Sequence, residues 1–243
     1  LVNKGSRIQG VRSSNESSDG QTLKEKVFAL LKSPELERKL ESLRKYSIHR
    51  VFRTLLSALC SEDEEIKWHA VTVTGILVAD LAQRDMEGAR RILRRMIWSL
   101  NEGSGGIGWG IPEAMGEILA RNEPLAREFA PILVSYVQPE GNFLEFELLQ
   151  RGILWGIGRL GEIHPQVLRS LDVAKYLLPC MDSPDPLVRG HALWAAGRIG
   201  IKAHISGLES LLQDQTEIRL YQDRRFRRVR ICDLAREIFE RSK

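Results

Sequence analysis

Cysteine is scarce in this chain: Cys60, Cys180 and Cys232 are the three present, far apart and leaving an odd thiol. That excludes a disulfide framework as the basis of the fold and points to a reducing, cytoplasmic setting. Long hydrophobic runs are missing too. None approaches the roughly 18 uninterrupted apolar residues that a membrane span needs, so no membrane partner is expected. The first residues lack the charged-then-apolar order of a secretory signal. There is no Cys-x-x-Cys and no His-x-x-x-His, and no nucleophile sits beside a recognisable base. Catalytic residues, metal ligands and cofactors are accordingly expected to be none.

Charge is also modest. The chain has 243 residues, 43% of them hydrophobic, and a formal net charge of +4, enough to bury a real core without staples. Residues 215–243 carry all of that excess, with nine Lys or Arg against five Asp or Glu. The run from Arg224 to Arg230 reads as a basic stretch on a helix. Its two interpretations are a solvated face capping the end of the molecule and a contact for an anionic partner such as nucleic acid.

What the chain does have is repetition. Gly75, Gly116, Gly158 and Gly197, with Ala235 in the fifth place, recur at spacings of 41, 42, 39 and 38 residues inside helix-like segments. A repeat of this length forms one helical hairpin that cannot bury its apolar face alone, so neighbours must stack. The expected fold is all-α: a right-handed α-solenoid of about five helical hairpins behind an N-terminal helical cap. Residues 22–243 form this single domain and residues 1–21, rich in Ser, Gly and Asn, a disordered linker. Capping boxes are read at Thr22–Glu25 and Ser61–Glu64. Inner helices are expected over 66–82, 109–120, 143–160 and 187–199, with a less regular unit over 205–241.

The segment Leu187-Val188-Arg189-Gly190-His191-Ala192-Leu193-Trp194-Ala195-Ala196-Gly197-Arg198-Ile199-Gly200 resembles the inner helix of a HEAT repeat, of the short subtype also found in phycobilisome lyases. Leu154-Trp155-Gly156-Ile157-Gly158-Arg159-Leu160-Gly161 resembles it again. The resemblance implies a scaffold without naming a reaction. HEAT-repeat hydroxylases carry His-Glu pairs at the start of inner helices. The corresponding pairs here are Trp68-His69, Trp109-Gly110, Arg151-Gly152 and Gly190-His191, so that iron chemistry is not implied.

Positions seven and three residues before each recurring glycine, and one after it, fall on one helix face. Across the repeats this face reads Trp68, Thr72, Ile76; Trp109, Glu113, Glu117; Arg151, Trp155, Arg159; Gly190, Trp194, Arg198; and Arg228, Cys232, Arg236. Four of the five tryptophans lie on it. The expectation is a concave groove binding a protein or peptide, with Trp155 and Trp194 as adjacent anchors and Trp68 and Trp109 extending them. Arg151, Arg159 and Arg198 would meet acidic groups, and Glu113 and Glu117 basic ones. Without a partner, the same side chains would fill gaps between repeats, with the two glutamates pairing with Arg151 and Arg159. The alternative function rests on architectural similarity to alkylpurine DNA glycosylases, in which Trp109, Glu113, Trp155 and Trp194 would handle a damaged nucleoside. Tetrapyrrole handling, implied by the lyase resemblance alone, is a third. The glycine-dense stretch Asn101–Gly110 reads as a turn bordering the groove rather than an anion cradle.

Overall fold

The computed structural model describes residues 14–101, 108–201 and 208–241. They form thirteen helices and one short hairpin of strands. Helices α1 (Ser14–Leu31) and α2 (Leu36–Arg44) make the cap. Outer and inner helices then alternate: α3 (Ile48–Leu59) with α4 (Glu64–Arg84), α5 (Met86–Asn101) with α6 (Ile111–Arg121), and α7 (Glu123–Ser135) with α8 (Glu147–Ile163). In the fourth unit the outer helix is split into α9 (Pro165–Arg169) and α10 (Ala174–Cys180) before α11 (Pro186–Ile199). The short α12 (Leu208–Leu211), strands β1 (Glu217–Gln222) and β2 (Arg225–Arg230), and α13 (Ile231–Arg241) complete the chain. The inner helices α4, α6, α8, α11 and α13 pack side by side in sequence order. This is the expected α-solenoid.

Helix starts follow local chemistry. Asp63 caps α4 by accepting from the amides of Glu65 and Ile66, and Asn122 caps α7 through the amide of Leu125. Asp185 caps α11 through Leu187 and Val188. The cap of α4 is therefore Asp63 and not Ser61, whose hydroxyl instead accepts from the Asp63 amide at 3.2 Å. Helix α1 begins at Ser14, so Thr22 lies within it; once Val27, Leu30 and Leu31 are packed, each residue added upstream needs only one more backbone hydrogen bond. The linker reading of residues 1–13 and residues 102–107 of the glycine-dense turn lie outside the described residues.

The recurring glycines have a packing cause. A Cβ on Gly75 would strike the Glu117 side chain, one on Gly116 the Gly156 backbone, and one on Gly158 the Trp194 ring. Each thus admits a residue of the next inner helix. At Gly197 the demand has lapsed, because the nearest atom to an added Cβ is Ile238 Cγ1 at 3.7 Å.

The C-terminal unit departs from expectation. The arginine run is no helix: Arg225–Arg230 is a strand paired antiparallel to Glu217–Gln222, with Tyr221 opposite Phe226 and Ile218 opposite Val229. Asp223 and Arg224 form the two-residue turn with φ of 52° and 61°. Such a turn is ordinarily announced by Asn-Gly or Gly, and neither is present. Arg228 consequently leaves the inner-helix column, while Cys232 and Arg236 stay on α13.

Candidate functional site: the concave face and its resident hairpin

Inner helices of an open solenoid leave their concave side to solvent. Here α4 is buried on nearly every face, from Trp68 and Thr72 to Val78 and Ala82. The reason is the hairpin, which lies across the concave face. Ile218 occupies the space a side chain at Gly190 would take. Tyr221 stacks on Trp68 with centroids 4.6 Å apart, and its hydroxyl lies 3.3 Å from Thr72 Oγ1. Trp155 donates its indole N–H to the carbonyl of Tyr221 at 2.8 Å. Phe226 meets Trp68 edge-on, and Arg219 covers the Phe226 ring while pairing with Glu64.

The hairpin is held at its base as well. Arg189 of α11 bonds Asp214 at 2.8 Å and the carbonyls of Ser183 and Pro184, and Asp214 receives the amides of Thr216 and Cys232. At the far side Gln222 donates to Glu162 at 3.0 Å.

Of the column residues, Trp68, Trp155 and Trp194 come together, Trp155 and Trp194 lying 6.1 Å apart and nearly parallel, whereas Arg228 lies on β2. Trp68 also reaches Trp155, at 4.6 Å. Their exposure is what differs. Trp155 and Trp194 are each 2% exposed and Trp68 7%, because the hairpin and one another cover them. Trp109 is half-buried at the edge of this cluster. Trp98, the tryptophan outside the column, is the exposed one.

The charged members are largely satisfied internally. Glu117 binds both Arg159 and Arg121 at 2.6 Å, and Arg159 continues to Glu162 at 2.8 Å. Burial alone would favour loss of the Arg159 proton, but the two carboxylates raise its pKa above the ordinary value. Glu113 pairs with Lys67 at 2.6 Å, and Arg151 with Asp185 at 2.9 Å, rather than with each other. Desolvation pushes the Asp185 pKa up, yet Arg151 and the capped amides of α11 outweigh it and hold the group below its usual range. Arg198 is half-buried, with no ion pair among the described residues.

His69 and His191 play matching roles. Each turns Nδ1 to a carbonyl of a preceding element, Leu31 at 2.6 Å and Arg151 at 2.9 Å. Burial lowers the His191 pKa to about 4. No group of His, Cys, Asp and Glu among the described residues is arranged to hold a metal ion. No helix among them is long and apolar enough to cross a membrane.

Sequence reasoning missed Tyr221, Phe226, Gln222 and Arg219, and with them the covering of the groove. A signal was present: Glu217-Ile218-Arg219-Leu220 alternates polar and apolar residues as a half-buried strand does.

Between the hairpin and the N-terminal ends of the inner helices a pocket of about 220 Å³ remains, lined by Trp68, Trp109, Leu148, His191 and Phe226 among others. A smaller one of about 140 Å³ lies at the opposite side, beside Arg159 and Trp194.

No family model matches this chain, and no curated protein matches it. Solved structures do. An engineered protein from a structural genomics consortium aligns over 96% of this chain and 93% of its own, with TM-score 0.58 and 12% identity. A designed armadillo repeat protein aligns over 96% of both chains, with TM-score 0.55 and 15% identity. Computationally designed armadillo repeat proteins for modular peptide recognition align over 95% of both chains, again with TM-score 0.55 and 15% identity. The shared fold is an armadillo-like helical-repeat solenoid.

Proposed function

We propose that this chain is a non-catalytic interaction module of the HEAT-repeat kind, cytoplasmic, that binds a protein or peptide segment on its concave side. The observation that carries this reading is the Trp155 N–H bonded to the Tyr221 carbonyl at 2.8 Å while Trp68 stacks on the Tyr221 ring. The concave face is thus built to grip an extended backbone and an aromatic side chain together, as strand-recognising surfaces do. Armadillo-like structures designed for peptide recognition share the fold, which supports the same use. Since the hairpin takes Trp155, Trp194 and Trp68, the external partner meets the uncovered part, around Trp109 and Arg198.

The glycosylase alternative fits the geometry less well. Glu113, its acidic residue, is 3% exposed and capped by Lys67, and two of its three tryptophans lie under the hairpin. Nor does the arginine run present free charge throughout: Arg227, Arg228 and Arg230 pair with Asp223, Glu217 and Asp233.

The test is a selection of randomised displayed peptides on the full chain. Enriched sequences whose binding is lost in Trp109→Ala, with unchanged thermal unfolding, support the proposal. A library that yields no binder, or binders indifferent to every concave-side substitution, rejects it.

A further inference from the structure

The pocket beside the hairpin has a composition that specifies its occupant. Three aromatic rings, Trp68, Trp109 and Phe226, line its 220 Å³ together with Leu148. An apolar cavity of about 150 Å³ is enough for a benzene ring, so a phenol or an indole fits here. Its polar atoms are also distinctive. Trp109 Nε1 is a buried donor with no partner among the described residues. His191, 5% exposed, lines the same pocket. A carbonyl oxygen only accepts, so the Nδ1 facing Arg151 O carries the ring's proton. The ring is neutral, and Nε2 is left as an acceptor without a partner among the described residues. A buried donor left unmet, as at Trp109, is costly unless a ligand or water supplies the complement.

The charge around the mouth adds a second constraint. In the lining, Lys67, Arg151 and Arg219 are each paired, with Glu113, Asp185 and Glu64, the last pair being exposed. Outside, the segment entering α8 exposes Phe143, Phe146 and Leu148, and Leu148 joins it to the pocket. Glu145 and Glu147, interleaved with these side chains and exposed, have no ion pair among the described residues. The segment that adjoins the pocket through Leu148 is thus apolar and carries two carboxylates with no ion pair among the described residues.

We propose that this pocket receives one tyrosine or tryptophan side chain of a protein partner whose flanking residues are lysine or arginine. The ring fills the aromatic walls, its O–H or N–H donates to His191 Nε2, and the basic neighbours lie along Glu145 and Glu147 with their aliphatic stems on Phe143 and Phe146. This rests on the interaction-module reading and narrows it to a place and a partner chemistry.

The experiment uses the full chain labelled with ¹⁵N and the indole N–H resonances of its tryptophans, that of Trp109 assigned through Trp109→Phe. Three blocked pentapeptides are titrated: Lys-Lys-Tyr-Lys-Lys, the same with Leu for Tyr, and Glu-Glu-Tyr-Glu-Glu. The first is expected to shift the Trp109 resonance, with at least tenfold weaker binding for the other two. Leu148→Arg, an exposed rim change that spares the fold, is expected to weaken the first peptide at least fivefold. A fourth peptide, Lys-Lys-Phe-Lys-Lys, is expected to bind wild type more weakly than the Tyr peptide, and His191→Phe, checked for native thermal unfolding, to abolish that difference. An unmoved Trp109 resonance, or three peptides that bind alike, overturns the assignment. Library-selected peptides that bind without moving Trp109 overturn this pocket and leave the module standing, whereas a library without binders removes the module itself.

Discussion

Tyr221 and Trp68 lie face to face, ring centroids 4.6 Å apart and planes within 21° of parallel, although one belongs to the C-terminal hairpin and the other to the first inner helix. A solenoid normally lets each repeat touch only its neighbours. This contact closes the first unit against the last, and makes the ends of the array stabilise each other.

Removing that ring tests the closure. Tyr221→Ala deletes the stack and the hydroxyl contact with Thr72 but keeps the backbone carbonyl that Trp155 binds. A loss of about 3 kcal/mol is expected, as for other buried aromatics cut to alanine. Denaturant unfolding gives the magnitude, and a red-shifted tryptophan emission of the folded variant would report the uncovered indoles. An unchanged midpoint would mean the hairpin is only laid on the surface.

The glycine column makes opposite forecasts at two positions. Gly116→Ala puts a methyl against the Gly156 backbone and forces α6 and α8 apart, for a loss of about 1–3 kcal/mol. Gly197→Ala has room, and the better helix former should raise stability by up to ~1 kcal/mol. Thermal melts of the two variants decide it, and equal effects would contradict the packing account.

Asp185 gives a pH test in the acidic range. Its folded pKa is depressed, so its contribution is present above the unfolded value of about 3.9 and is lost as pH falls through the folded one. Asp185→Asn keeps a helix cap and loses the charged pair with Arg151, for a cost of about 1.5–3 kcal/mol at pH 7. The difference from wild type should close below the ordinary carboxylate range. A gap independent of pH would show that the Asp185–Arg151 charge contributes nothing.

His191 acts in a higher window. Its folded pKa is about 4, so below an unfolded value of about 6.5 the unfolded chain takes up a proton that the folded chain does not. Stability should therefore decline as pH falls from about 6.5 to 4, by up to about 1.4 kcal/mol per unit from this residue. In His191→Gln that share of the slope disappears, which urea midpoints at several pH values will measure. Equal slopes would place the imidazole in contact with water.

The repeat was legible in the sequence because its cause is local. The caps at Asp63, Asn122 and Asp185 were identified only in the structure, whereas a glycine every 38 to 42 residues and small residues such as Ala192 and Ala196 record what one helix needs from the next. These sufficed for the solenoid, for the shared face of Trp68, Trp155 and Trp194, and for the adjacency of the last two. Whether that face met water was not a local property. It depended on Glu217–Arg230 folding as a hairpin about the Asp223-Arg224 turn and crossing from Gly190 to Trp68. The same arginines satisfy a helix or a strand equally well in isolation, and only burial of Ile218, Leu220 and Tyr221 against the inner helices selects the strand. Of the glutamate pairs, Glu117 with Arg159 was expected from the column, and Arg121 lies one turn along the same helix as Glu117; packing of the stack decided that Glu113 takes Lys67 rather than Arg151.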